Sequence, residues 1–134
     1  MKRMRLRAAL AGDSGSAVAE FAMVISLLTV LTLSVMQLAL ALYIRNTVLD
    51  AAAEGARFAA LADSGLADGA ERTRDLITAA LGPSYATDIQ AGYGRFAGHR
   101  SVQVRVVAPI PLLGLLGIDR GLEVVGHAAL ETLD

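Results

Sequence analysis

From Phe21 to Ile44 the chain runs 24 residues without a formal charge. At about 1.5 Å of helical rise per residue this covers roughly 36 Å, enough for a hydrocarbon core of about 30 Å. Beyond Ile44 the helical pattern continues without a break and becomes amphipathic. Val48, Ala52, Gly55, Ala59 and Ala62 recur at helical spacing, with Asp50, Glu54 and Arg57 on the opposite side. No proline or loop cluster separates the two patterns, which predicts one continuous helix over about 17–62. Within it, Ala51, Gly55 and Ala59 form a small-x-x-x-small ladder that permits close approach of another backbone. Ser26, Thr29 and Gln37 share one face of the apolar stretch, a candidate helix-packing seam in lipid.

Asp63-Ser64-Gly65 ends this pattern. Asp68-x-x-Glu71 reads as a capping box that opens a second helix, with Leu66, Thr73, Ile77 and Leu81 along its buried side and Gly82-Pro83 as its stop. Period-two alternation follows over 88–96 and 101–108, around a turn at Gly98-His99, with Val102, Val104 and Val106 facing one way and Gln103 and Arg105 the other. A third strand is expected over 122–130, after an apolar loop at 109–117. Leu112, Leu113, Leu115 and Leu116 make that loop a candidate contact surface, because exposed apolar patches mark interfaces. The fold class expected is α+β: a long N-terminal helix, transmembrane in its first half, carrying a small head with one further helix and a three-stranded antiparallel sheet. The division is 1–15, a basic leader; 16–62, the transmembrane helix and its extracytoplasmic extension; and 63–134, the head.

Charge orients the helix. Lys2, Arg3, Arg5 and Arg7 precede the apolar stretch, whereas Arg45, Asp50, Glu54 and Arg57 follow it in mixed sign. The positive-inside rule puts the N-terminus in the cytoplasm. The whole chain is 54% hydrophobic with mean hydropathy +0.52, too apolar for an ordinary soluble domain of 134 residues. A basic start before an apolar block also describes a secretory signal, and Ala39-Leu40-Ala41 offers a cleavage site for one. The apolar block is, however, nearly twice the usual length for that purpose.

Candidate chemistry is sparse. The absence of cysteine excludes disulfides and thiolate catalysis. Net charge of −1 without a basic patch speaks against nucleic-acid binding. His99, read as a turn residue, and His127, read as a strand residue, lack metal-ligand spacing. Gly92-Tyr93-Gly94 with Gly98 misses the dinucleotide spacing. No catalytic, metal or cofactor site is expected, and the chain reads as a substrate or building part, not an enzyme.

One carboxylate needs a reason. Glu20 stands at the mouth of the apolar stretch, where a charge is costly, five residues after Gly15 and directly before Phe21. This tract resembles the prepilin-type junction of TadE-like minor pseudopilins from tight-adherence (Flp-type) pilus systems. Ala53-Glu54-Gly55-Ala56-Arg57 resembles the family's small-residue segment past the membrane, and the strand and x-P-x-P ending over 104–111 resembles a late part of its domain. Ser26 stands where many relatives have proline. The resemblance implies a leader ending at Gly15, a mature chain starting at Ser16, and Glu20 and Phe21 as its fifth and sixth residues, used in recognition and assembly. It implies a prepilin peptidase, other minor pseudopilins, the major Flp-type pilin, an inner-membrane assembly platform and the lipid bilayer as partners. The location implied is the bacterial inner membrane, single-pass. The alternatives are a single-pass protein with a partner-binding outer domain and no processing, and a secreted protein cut after Ala41. Their first residues would be Met1 and Leu42 in place of Ser16.

Overall fold

The computed structural model describes residues 2–61, 63–112 and 116–130, with the backbone alone at 2–13, 112 and 116–119. The elements are α1 (Lys2–Ala60), α2 (Leu66–Leu81), a 3₁₀ turn (Pro83–Tyr85), β1 (Asp88–Phe96), β2 (His99–Leu112) and β3 (Leu116–Ala129). The strands form one antiparallel sheet in the order β1-β2-β3. This is the α+β class expected, with a helix of 59 residues at the N-terminus. By contacts the chain falls into two compact units, Met1–Leu38 and Ala39–Asp134.

The first unit is helix alone. Phe21 is 67% and Met23 72% exposed, so this unit buries none of its apolar face against itself. Ser26 donates its hydroxyl to the Ala22 carbonyl at 2.7 Å, and Thr32 and Ser34 do the same to Leu28 and Val30. Such back-bonding lets a hydroxyl sit in an apolar helix without an outside partner. Over Ser14–Ala60, α1 is long and apolar enough to cross a membrane.

The second unit has a core. Ile44, Val48, Ala52, Ala56 and Ala59 of α1 are buried with Ile77 of α2, Val102, Val104, Val106 and Ala108 of β2, and Leu122 and Val124 of β3. Alternation along β2 sends Val102, Val104 and Val106 inward while Gln103 is half-buried and Arg105 exposed. On the outer face, Arg105 pairs with Glu123 and Arg120 with Asp88, each at 2.9 Å. The α2 side expected to be buried is the side that packs: Thr73 and Ile77 are fully buried, and Leu66 and Leu81 lie against the core. Ala62, expected on the packed face of α1, lies outside the described residues.

Several boundaries differ from the sequence reading. The second helix starts at Leu66, capped by Gly65, so Asp68 is its third residue and not its cap. The Gly65 N–H donates to Asp68 Oδ2 at 2.7 Å, which leaves Glu71 without a capping role. The hairpin turn is Ala97-Gly98, both at positive φ (50° and 85°), as a tight two-residue turn requires. His99 therefore opens β2, paired with Phe96, and is not a turn residue. The expected loop 109–117 is largely strand. β2 runs on to Leu112 and β3 starts at Leu116, paired as Ile110↔Ile118, Pro111↔Gly117 and Leu112↔Leu116. The two prolines suggested a break. The sheet tolerates them because a register shift falls between Ala108 and Ile110, and because β1 pairing stops at Val107, leaving an edge that needs no donor.

Candidate processing and assembly segment

The residues singled out by sequence fall into three groups. The first is the junction. Gly15 is helical, and a side chain there would meet nothing within 4 Å. One turn on, the Ser16 hydroxyl donates to Glu20 Oε1 at 3.4 Å, on the helix surface. Phe21 follows, bare to its surroundings. The helix thus brings Ser16 and Glu20 onto one face, four residues apart, with Gly15 at the edge of the pair. A long hydroxyl–carboxylate contact on an exposed surface contributes little by itself, so the carboxylate retains capacity for a stronger donor.

The second group is the packing residues. Ser26 and Thr29 are exposed, and Ser26 is satisfied within its own helix. Gln37 is half-buried, and its Oε1 has no partner among the described residues. The ladder Ala51, Gly55, Ala59 is already occupied. A β-carbon on Gly55 would meet Thr73 Oγ1 and, at 2.5 Å, the Gly69 carbonyl; one on Gly69 would come within 2.5 Å of Ala59 Cβ. Thr73 donates to the Gly69 carbonyl at 2.9 Å and lies 3.4 Å from that of Ala51. The small residues let α2 lie against α1 inside the same chain.

The third group is the apolar loop. Leu112 and Leu116 pair across the β2–β3 ribbon, and Leu113 and Leu115 lie outside the described residues.

A family model described as TadE-like protein matches residues 15–57. Residues 15–57 are thus similar to that family. The TadE-like segment therefore starts at the glycine of the junction, contains Glu20, Phe21 and the whole apolar span, and ends within the stretch of α1 that carries the ladder. It suggests involvement in a tight-adherence pilus system, and its apolar helix is consistent with anchoring in a membrane. No curated protein and no solved structure matches the chain.

Sequence reasoning missed residues that the TadE-like helix needs as partners. A β-carbon on Gly126 would strike the main chain of Ala52 and Ala53, so only glycine lets β3 cross α1 this closely. Gly69 plays the same part in α2. The signal available was a glycine at an inward position of a strand, Leu122-x-Val124-x-Gly126, which marks close backbone approach. Ser101 is 2% exposed, and among the described residues its Oγ has no partner, nor does Nδ1 of His127, whose ring stacks on Phe96 at 4.6 Å. These line a cleft of about 300 Å³ near the hairpin turn.

Proposed function

We propose that the chain is a membrane-anchored minor pseudopilin of a tight-adherence pilus system, cut by a prepilin peptidase between Gly15 and Ser16. One observation carries the reading: the TadE-like match begins at residue 15, where the basic leader would end. The protein acts as a peptidase substrate and building part, not as an enzyme. Lys2, Arg3, Arg5 and Arg7 would hold the leader in the cytoplasm, with residues 63–134 outside the inner membrane.

Cutting at Gly15 requires the helix to open locally. Gly12, Asp13, Ser14, Gly15 and Ser16 are all weak helix formers, together about 3 kcal/mol less favourable than alanines, so this stretch unwinds more readily than the apolar helix beyond it. Cleavage creates an α-ammonium on Ser16, on the face that carries Glu20. A carboxylate there lowers the cost of a charge at the membrane edge, and in an assembly it would pair with the amine of a neighbouring pseudopilin. The mature chain keeps 8 basic and 12 acidic residues, a formal −4, so the leader supplies a third of the basic groups. Their loss would loosen the hold of the cytoplasmic leaflet on the helix. The other minor pseudopilins, the major pilin and the assembly platform are its partners on this reading.

A second reading has its own observation. Gly15 and Ser16 lie inside an uninterrupted helix, as suits a permanent single-pass anchor whose outer domain binds a partner. The two separate on one substitution. Under the pseudopilin reading, Gly15→Trp blocks the shift to a shorter form in cells that hold the peptidase. Normal shortening of Gly15→Trp would refute the peptidase assignment.

A further inference from the structure

Paired positions of an antiparallel sheet share a face. On the face opposite the buried valines of β2, the register therefore sets successive rows: Phe96 with His99, then Gly94, Ser101 and Ala129, then Gly92, Gln103 and His127. The rings of Phe96 on β1 and His127 on β3 stack at 4.6 Å. They come from the two outer strands and from the rows on either side of Ser101, so their contact crosses β2 above that serine. The roof accounts for the burial of Ser101, 2% exposed, between His99 and Arg105, which are exposed on the same face of the same strand. Among the described residues, neither Ser101 Oγ nor His127 Nδ1 has a hydrogen-bond partner. Buried polar atoms are disfavoured without one, and here two lie under the same pair of rings.

Both residues line the cleft of about 300 Å³ beside the hairpin turn, a volume at the small end of the range for ligand sites. The chemistry of its lining selects a ligand. Its polar side chains are the Ser101 hydroxyl, the imidazoles of His99 and His127, and the Arg100 guanidinium. The guanidinium only donates, the hydroxyl and imidazoles donate as well as accept, and none is an acceptor alone. No aspartate or glutamate occurs between Asp88 and Asp119. Asp88 and Glu123 lie in the row at the other end of the sheet and are paired with Arg120 and Arg105. Arg100 also stands directly opposite Arg95 across β1 and β2, a like-charge pair that repels. An anion is the complement of this end of the sheet. The rest of the lining is apolar, from Phe96, Ala97 and Ala129. Such walls suit a carboxylate on an apolar body and not a fully hydrated phosphate.

We propose that the cleft between Phe96, Ser101 and His127 binds a small organic carboxylate. Ser101 Oγ, His127 Nδ1–H and Arg100 hold the carboxylate, and Ala97, Ala129 and the Phe96 ring hold the apolar body. Phe96 is the movable part. It ends β1 beside the Ala97-Gly98 turn, is 57% exposed, and rests over Ser101 through its contact with His127. Turning it aside uncovers both polar atoms and leaves the His127 ring free to meet the ligand. The site lies in the Ala39–Asp134 unit and outside residues 15–57, so it depends on neither the cleavage nor the membrane span.

The chain has only 2 histidines, so their ring signals in NMR spectra are readily told apart. The full chain in detergent micelles is titrated with phenylacetate at constant pH. The His127 ring signals are expected to shift and saturate, with half-saturation at about 1–10 mM for a ligand of about ten non-hydrogen atoms. Phenylacetamide, with the same shape and no charge, and inorganic phosphate, with charge and no apolar body, are each expected to bind about tenfold more weakly or worse. Ser101→Ala removes an oxygen that bonds none of the described residues, so the amide spectrum away from the cleft stays as it is. Its His127 shift no longer saturates over the same range of phenylacetate, a loss of about tenfold or more. A His127 ring that does not respond to phenylacetate overturns the site. A response that Ser101→Ala leaves unchanged reports the acid dissolving in the micelle and overturns it too. Phenylacetamide bound as tightly as phenylacetate overturns the carboxylate, and phosphate bound as tightly overturns the apolar body.

Discussion

Replacing Gly126 with alanine tests the contact that builds the C-terminal unit. The added methyl would stand 2.5 Å from the Ala52 carbonyl oxygen and closer still to the adjoining main-chain atoms, where an ordinary contact begins near 3.4 Å. No flexible side chain can move aside, so strand and helix must part by about 1 Å, enough to forfeit a quarter to a half of the local dispersion attraction. Val48, Ala52 and Ala56 on α1, and Val104 and Val124 on the sheet, are all at most 5% exposed and would feel the gap. Overpacking of this kind costs about 1–3 kcal/mol, offset by about 0.5–1 kcal/mol because alanine loses less backbone freedom than glycine in a strand. A net loss of about 1 kcal/mol speeds local opening roughly 5-fold. With no native cysteine, Val106→Cys, at a fully buried position, reports opening through its alkylation rate in detergent micelles. Gly92→Ala serves as the control, since a β-carbon there meets nothing within 4 Å. It should slow labelling or leave it unchanged. Equal labelling rates for Gly126→Ala and Gly92→Ala would refute the crossing of β3 over α1.

Three further outcomes are expected. Thr73→Val keeps the shape but loses the hydroxyl donated to the Gly69 carbonyl, costing about 0.5–1.5 kcal/mol in the same labelling assay; Thr73→Leu, which must intrude on Gly55, costs more. Arg105→Gln removes a pair whose partners are half-exposed, so stability changes by less than about 1 kcal/mol, and the difference fades in 1 M salt. Glu20→Gln leaves the cut after Gly15 in place but weakens cross-linking of the mature chain to other pseudopilins, as measured in cell membranes; undiminished cross-linking would remove the carboxylate from assembly.

Much of this fold is legible in the residues. The long helix announces itself because Phe21–Ile44 is uncharged and Val48, Ala52, Gly55 and Ala59 keep the same period beyond it. Strand β1 coincides with the expected 88–96, since Asp88 follows a turn and Ala97-Gly98 closes the run. Prolines hid the rest. Pro109 and Pro111 argue against strand in a central position, and only the early end of β1 turns that stretch of β2 into an edge where they fit. The cap of α2 lies three residues earlier than Asp68 because Gly65, which has no side chain to cap with, is served by Asp68 from inside the helix. The candidate segment was legible as a motif, Gly15 with Glu20 and Phe21. The destination of the small-residue ladder was not, because a sequence shows that a backbone can come close without showing which one does. In this chain it is α2, through Gly69 and Thr73.

The intact mass and first residue of the protein recovered from membranes of its native cells bear most directly on the pseudopilin reading. Loss of residues 1–15, with serine at the new terminus and residues 16–134 complete, is the result it requires. A chain that still begins with Met1, or one that begins at Leu42, would contradict it.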